Sequence, residues 1–131
     1  MSSNLSLKWN EFQNITSKTL SNIFNNHKFA DVTLASDDGE QISAHKIILS
    51  SASAVFEKIL SVNTDKQFLL YLRGFTVKDL KYLLQFIYQG EVEVEAECVE
   101  RFLQTTREFE VREVFQNDMN QTEPTEVIQQ Q

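Results

Sequence analysis

The side chains able to do chemistry in this chain are few. They are two imidazoles (His27 and His45), one thiol (Cys98), three close hydroxyls (Ser50, Ser51 and Ser53) and the carboxylate run Glu91-Val92-Glu93-Val94-Glu95-Ala96-Glu97. A metal site needs ligands at spacings that converge on one ion, and positions 27, 45 and 98 offer none. A helical register would carry one of the serines towards His45, the pairing that nucleophilic catalysis uses. The serines read more simply as small residues at a helix junction. Alternation along a strand gathers carboxylates on one face, which makes a solvated face rather than an acid–base pair. Gly39, Gly74 and Gly90 stand singly at turns or helix ends, so phosphate cradles and a nucleophile elbow lack support. These residues point away from an enzyme, a cofactor or a metal.

Two charged features remain. Asp31 opens an otherwise apolar strand, and His45-Lys46 heads the next apolar run. Charged groups seldom stand at the edge of a core without a partner.

The elements around them follow from periodicity. Leu5, Leu7 and Trp9 alternate with polar residues and predict a short strand. Asn10 with Gln13 predicts a helix start. Phe12, Ile15, Thr16, Thr19, Leu20, Ile23 and Phe24 then form one helical stripe, ending at Asn25-Asn26. Val32 to Ala35 is a strand, Asp37-Asp38-Gly39 a hairpin turn, and Glu40 to Ala44 the returning strand. From His45 to Leu60 the period is helical, as two short helices or one bent at Ser51-Ala52-Ser53. Residues 61–67 read as a loop and Phe68 to Leu72 as a compact buried strand. Thr76 caps a helix carrying Leu80, Leu83, Leu84 and Ile87, closed by Gly90. Glu91 to Glu95 alternates as a strand. Helices follow at 96–107, with Val99, Phe102 and Leu103, and at 109–116, with Val111, Val114 and Phe115. Residues 117–131 are polar, hold Pro124 and lack any period, so a disordered tail or linker is expected.

With 131 residues the chain has the length of one domain. No long apolar stretch suggests a membrane span, and the start MSSNLSLKWNEF shows no secretory pattern. One cysteine fits a reducing compartment. The net charge of −7 and scattered Lys and Arg argue against direct contact with phosphate backbones. DNA is expected to be reached only through segments outside this sequence.

The stretches F29-A-D31-V-T-L and I42-S-A-H45-K46-I-I-L49-S resemble the signature of a BTB/POZ domain. L69-L-Y-L-R-G-F and L83-L-Q-F-I-Y-Q-G-E-V-E-V resemble its later strand, helix and closing strand. L7-K-W-N is similar to the start of the tramtrack-type insect subgroup. The resemblance spans about residues 5 to 115 and implies an α+β fold, a small mixed sheet flanked by helices, in a domain-swapped homodimer. It implies a dimer interface of Leu5, Leu7, Trp9, Phe12, Ile15, Leu20, Ile23, Phe24, Val92 and Val94. Leu5 to Trp9 would pair with Val92 to Val94 of the other subunit. Asp31 and Lys46 match a charged pocket near that interface, and His45 is expected to be a core histidine.

The boundary expected from this reading is a BTB/POZ domain over 1–116 and a linker over 117–131. The implied function is homodimerisation, and assembly of several dimers, for a nuclear transcription or chromatin factor. Its partners would be itself and other BTB domains. The alternative is a substrate adaptor of a cullin-type ubiquitin ligase. Such adaptors tend to carry an apolar-x-Glu motif in the loop before the later strand, where this chain has Thr64.

Overall fold

Alternation along four residues sets the centre of the fold. In the strand Val32–Ala35 (β1), Val32 and Leu34 are buried while Thr33 and Ala35 are half-exposed. A computed structural model of the chain describes residues 3–62 and 68–112. Within these, helix Phe12–Asn26 (α1) precedes β1, and strand Gln41–Ala44 (β2) returns after the turn. Helices Lys46–Ala52 (α2) and Ala54–Ser61 (α3) lead to strand Phe68–Tyr71 (β3). Helix Val77–Gln89 (α4), a 3-10 turn at Ala96–Cys98 and helix Val99–Glu108 (α5) complete the order. The sheet order is β2-β1-β3, with β1 antiparallel to β2 and parallel to β3. A parallel neighbour needs a crossover, and α2 and α3 supply it. The fold is α+β, a small mixed sheet with helices.

Local chemistry accounts for the best-defined helix. The Thr76 hydroxyl accepts from Asp79 N at 3.2 Å, and Thr76 N donates to Asp79 Oδ2 at 3.0 Å. This reciprocal pair satisfies two N–H groups that the first turn of α4 leaves open. At the other end Gly90 takes φ 82 and donates its N–H to Phe86 O at 2.9 Å. A residue with a Cβ would be strained there. Between these caps Leu80, Leu83, Leu84 and Tyr88 point into the core. Truncating one of these leucines to alanine costs about 2–5 kcal/mol.

The expected bend between α2 and α3 falls at Ser53, which is extended (φ −131, ψ 125) and fully buried. Its hydroxyl accepts from Phe56 N at 3.0 Å and donates to Phe109 O. The main chain seals the junction: Ala54 N donates to Glu110 O at 3.1 Å and Arg112 N to Ala52 O at 2.8 Å.

That clamp corrects the start, residues 109–112, of the helix expected at 109–116. Residues 109–112 form a turn, with Glu110 at φ 49 and Val111 bridged to Ser53. Phe109, stacked on Phe56 with centroids 4.9 Å apart, anchors the turn. Val114 and Phe115 lie outside the described residues, as do residues 63–67 of the expected loop and the expected tail at 117–131. β3 is corrected too. As an edge strand it half-buries Phe68 and Leu70 and leaves Leu69 and Tyr71 exposed.

Residues 5–9 and 91–95 form no strand within this chain. A lone strand has no partner for its N–H and C=O groups, so an alternating sequence by itself does not make one. The Asn10–Gln13 cap is not formed either. α1 starts at Phe12 after Glu11, whose side chain makes no cap bond, and Asn14 Nδ2 instead donates to Glu11 Oε1 at 3.2 Å.

Candidate interaction surface

The first helix divides into two halves. Towards its C-terminus Leu20, Ile23 and Phe24 are half-buried, and Ile23 and Phe24 pack against the core. Phe24 lies 5.1 Å from the Tyr88 ring, and Gln89 Nε2 donates to Ser21 Oγ at 3.3 Å. Towards its N-terminus nothing among the described residues covers the stripe. Phe12 is 53% exposed and Ile15 41%, and none of the helix is fully buried.

The exposure continues upstream through Trp9 (57%), Leu7 (91%) and Leu5 (85%). The Trp9 and Phe12 rings contact each other, with centroids 5.6 Å apart and tilted by 60°. Contiguous apolar side chains of this kind mark an interaction surface. Burying a fully exposed side chain of this size is worth roughly 1.5–3 kcal/mol, and the half-exposed Trp9, Phe12 and Ile15 proportionately less.

The two valines of the expected interface behave differently. Val92 is 2% exposed and packs with Phe102 and Leu103, and half-buried Val94 joins the same cluster. Their side chains therefore serve their own chain. The main chain of residues 91–94 makes no hydrogen bond among the described residues. What this segment offers a second strand is its backbone.

Asp31 and Lys46 are brought together, by main chain rather than by two charges. Asp31 Oδ1 accepts from Lys46 N at 2.8 Å, and Asp31–Lys46 is absent from the ion pairs of the described residues. The Lys46 ammonium lies over the Phe68 ring, 5.9 Å from its centroid. Asp31 N donates to Ala44 O at 3.0 Å, so one residue ties the sheet to the start of α2.

His45 sits beneath this contact, 4% exposed. Its Nε2 lies 2.5 Å from Lys28 O, an acceptor, so that nitrogen carries the proton. Nδ1 then accepts from the Tyr88 hydroxyl at 2.6 Å, while that oxygen accepts the His45 main-chain N–H at 2.9 Å. Burial pushes the Tyr88 phenol above its ordinary value, with the Asp31 charge adding to the effect. The arrangement satisfies every ring atom and is a structural role.

A second network joins the hairpin turn to the start of α4. Asp37 accepts from the Tyr71 hydroxyl and from Gly74 N at 3.0 Å, which holds its carboxyl below the usual range. Asp38 accepts from the Ser36 hydroxyl and from Val77 N at 3.0 Å, with the same effect on its carboxyl.

Sequence reasoning missed two apolar residues beside the Asp31–Lys46 contact. Phe29 is 85% exposed at φ 64, and Ile47 is 79% exposed. Both occur in apolar runs that read as core, and only the fold shows them facing outward. Among the described residues, no cluster of His, Cys, Asp and Glu could hold a metal, and no helix is long and apolar enough to cross a membrane.

Comparison with known proteins agrees with this geometry. The family model for the BTB/POZ domain matches residues 20–123. Protein abrupt of Drosophila melanogaster is 36% identical over 81% of this chain, which spans only 12% of that protein's length. Longitudinals lacking protein-like, from the same organism, is 35% identical over 81% of this chain and 83% of its own length. Protein tramtrack, alpha isoform, is 31% identical over 81% of this chain and 11% of its own length. The BTB domain of zebrafish PATZ1 superposes with a TM-score of 0.74 at 22% identity, covering 98% of this chain and all of that one. With its mixed sheet, capped helices and buried histidine accounted for, the chain belongs to the BTB/POZ domain family of protein-interaction modules.

Proposed function

We propose that this chain is the self-association module of a nuclear transcription or chromatin factor, acting as a homodimer. The observation that carries the reading is the uncovered apolar run from Leu5 through Ile15. In the homodimer, α1 of one protomer covers Phe12 and Ile15 of its partner. Leu5 to Trp9 adds as a strand to residues 91–94 across the interface, which satisfies two sets of open main-chain groups together. In this reading Asp31 and Lys46, with the exposed Phe29 and Ile47 beside them in sequence, form a charged pocket near the dimer interface. Leu20, Ile23 and Phe24 support it from within.

The same short strand can extend assembly to several dimers, since a sheet edge accepts a strand from any copy. Other BTB domains with a similar surface are further partners. A relative named Zinc finger protein chinmo, from Drosophila melanogaster, is 36% identical over 81% of this chain, which spans 18% of that protein. It supports a module joined to nucleic-acid-binding segments, which a domain of charge −7 needs for contact with DNA. In this reading residues 1–116 are the module and 117–131 lead away from it.

Static light scattering on the full chain at micromolar concentration tests the reading. A dimer or larger species is expected, and a species of 15.2 kDa would refute it.

A further inference from the structure

The hairpin fixes which strand atoms face outward. Ser36 N donates to Glu40 O at 2.9 Å across the turn. Given the register Leu34↔Ile42 and Val32↔Ala44, those are the hydrogen-bonded pairs of the ladder. The N–H and C=O of Gln41 and Ser43 therefore point away from β1. Since β2 ends the sheet, they lie along an open edge.

That edge borders a cleft of about 400 Å³ between the sheet, the end of α1 and the face of α4. Phe24, Ile42 and Leu84 supply apolar lining. The charged or titratable lining groups are Lys81 and His27, with no carboxylate among them. Lys81 is exposed, and its ammonium makes no hydrogen bond or ion pair among the described residues. A cationic cleft on a chain of charge −7 is a local exception to the surrounding field. An open strand edge, an apolar slot and a lone ammonium together specify one kind of ligand.

We propose that this cleft binds an extended acidic segment of a partner protein, which adds to β2 as a further strand. Its main chain pairs with Gln41 and Ser43, alternate apolar side chains enter the slot, and a carboxylate meets Lys81. Main-chain pairing supplies affinity and the slot and charge supply specificity. The site is separate from the surface of Leu5 to Ile15, so occupancy leaves self-association intact.

The test is titration of the isotope-labelled full chain with a blocked Glu-Val-Glu-Val-Glu-Val peptide, read by amide chemical shifts. A Lys-Val-Lys-Val-Lys-Val peptide is the control. Shifts centred on the Gln41 and Ser43 amides are expected with the acidic peptide only. Lys81→Glu should weaken binding about fivefold or more, the size of a reversed exposed ion pair. Ser43→Pro should abolish it, because proline is tolerated where an edge N–H faces out but cannot donate. Neither substitution should change the mass of the assembly. If Ser43→Pro fails to fold, the Lys81→Glu variant and the basic control still decide. Equal binding of the two peptides, or no shift at millimolar peptide, would overturn the proposal. So would shifts at Gln41 and Ser43 that track protein concentration alone, or that follow deletion of residues 117–131. Those would make the occupant a second copy or the chain's own C-terminal segment.

Discussion

Asp31 and Lys46 meet as a carboxylate oxygen and a main-chain N–H, 2.8 Å apart, at the first residue of α2. A carboxylate there satisfies one of the open N–H groups of the helix start and faces the positive end of the helix dipole. The N-cap residue, His45, gives no side-chain cap of its own, because its ring is committed to Lys28 and Tyr88. Asp31 fills that role from 15 residues away.

The cap makes the two charges unequal. Asp31→Ala should lower unfolding free energy by about 1 kcal/mol, while Asp31→Asn keeps an acceptor and loses little. Lys46→Met should leave the capping bond in place. Urea denaturation at fixed protein concentration checks this. Equal losses in Asp31→Ala and Lys46→Met, with no further loss in the double variant, would show an ion pair instead.

Tyr88→Phe should be costlier than its size suggests. The hydroxyl serves both the main-chain N–H and Nδ1 of buried His45, and its removal leaves both without a partner. The expected loss is about 1–3 kcal/mol. A change below roughly 0.5 kcal/mol, the range of neutral surface substitutions, would contradict the assigned bonds.

How much of this was legible in sequence depended on distance along the chain. The Thr76–Asp79 box and the Gly90 cap are contained in α4 and its flanks, so reading them needed nothing else. The break at Ser53 was visible as small residues, but its cause, the clamp by Phe109 to Arg112, was not. Val111 and Val114 at helical spacing suggested a helix from 109, whereas Phe109 stacking on Phe56 makes residues 109–112 a turn. Leu5 to Trp9 and Glu91 to Glu95 alternate correctly for strands, yet one chain supplies no ladder for either. Asp31 and Lys46 stood out as charges at the heads of apolar runs, their pairing came from family resemblance, and the atoms that join them came only from the fold.

The hairpin-turn aspartates give a pH dependence with a defined sign. The carboxyl of Asp37 is held low chiefly by the Tyr71 hydroxyl, then by the Gly74 N–H. A carboxyl depressed in the folded state contributes stability above its unfolded value, about pH 4. That contribution is lost as pH falls through the lower folded value. Urea midpoints should therefore fall more steeply below pH 4 in the native chain than in Tyr71→Phe. Parallel curves would remove the hydroxyl as the cause.

Ile15→Asp probes the apolar surface without touching the protomer's own core. The side chain is 41% exposed, so helix content of the protomer should persist. Association should weaken about tenfold or more, a cost of about 1.4 kcal/mol. Phe12→Asp combined with Leu20→Asp should go further and abolish soluble protein, because such folds seldom have a stable monomer. Unchanged association in Ile15→Asp would place the interface elsewhere.

Sedimentation equilibrium of the full chain at tens of micromolar, beside a variant lacking residues 1–8, tests self-association most directly. The full chain should sediment at twice 15.2 kDa or more, and the deletion should remove any assembly beyond the dimer. A full-length chain that stays at 15.2 kDa across the concentration range would contradict the account.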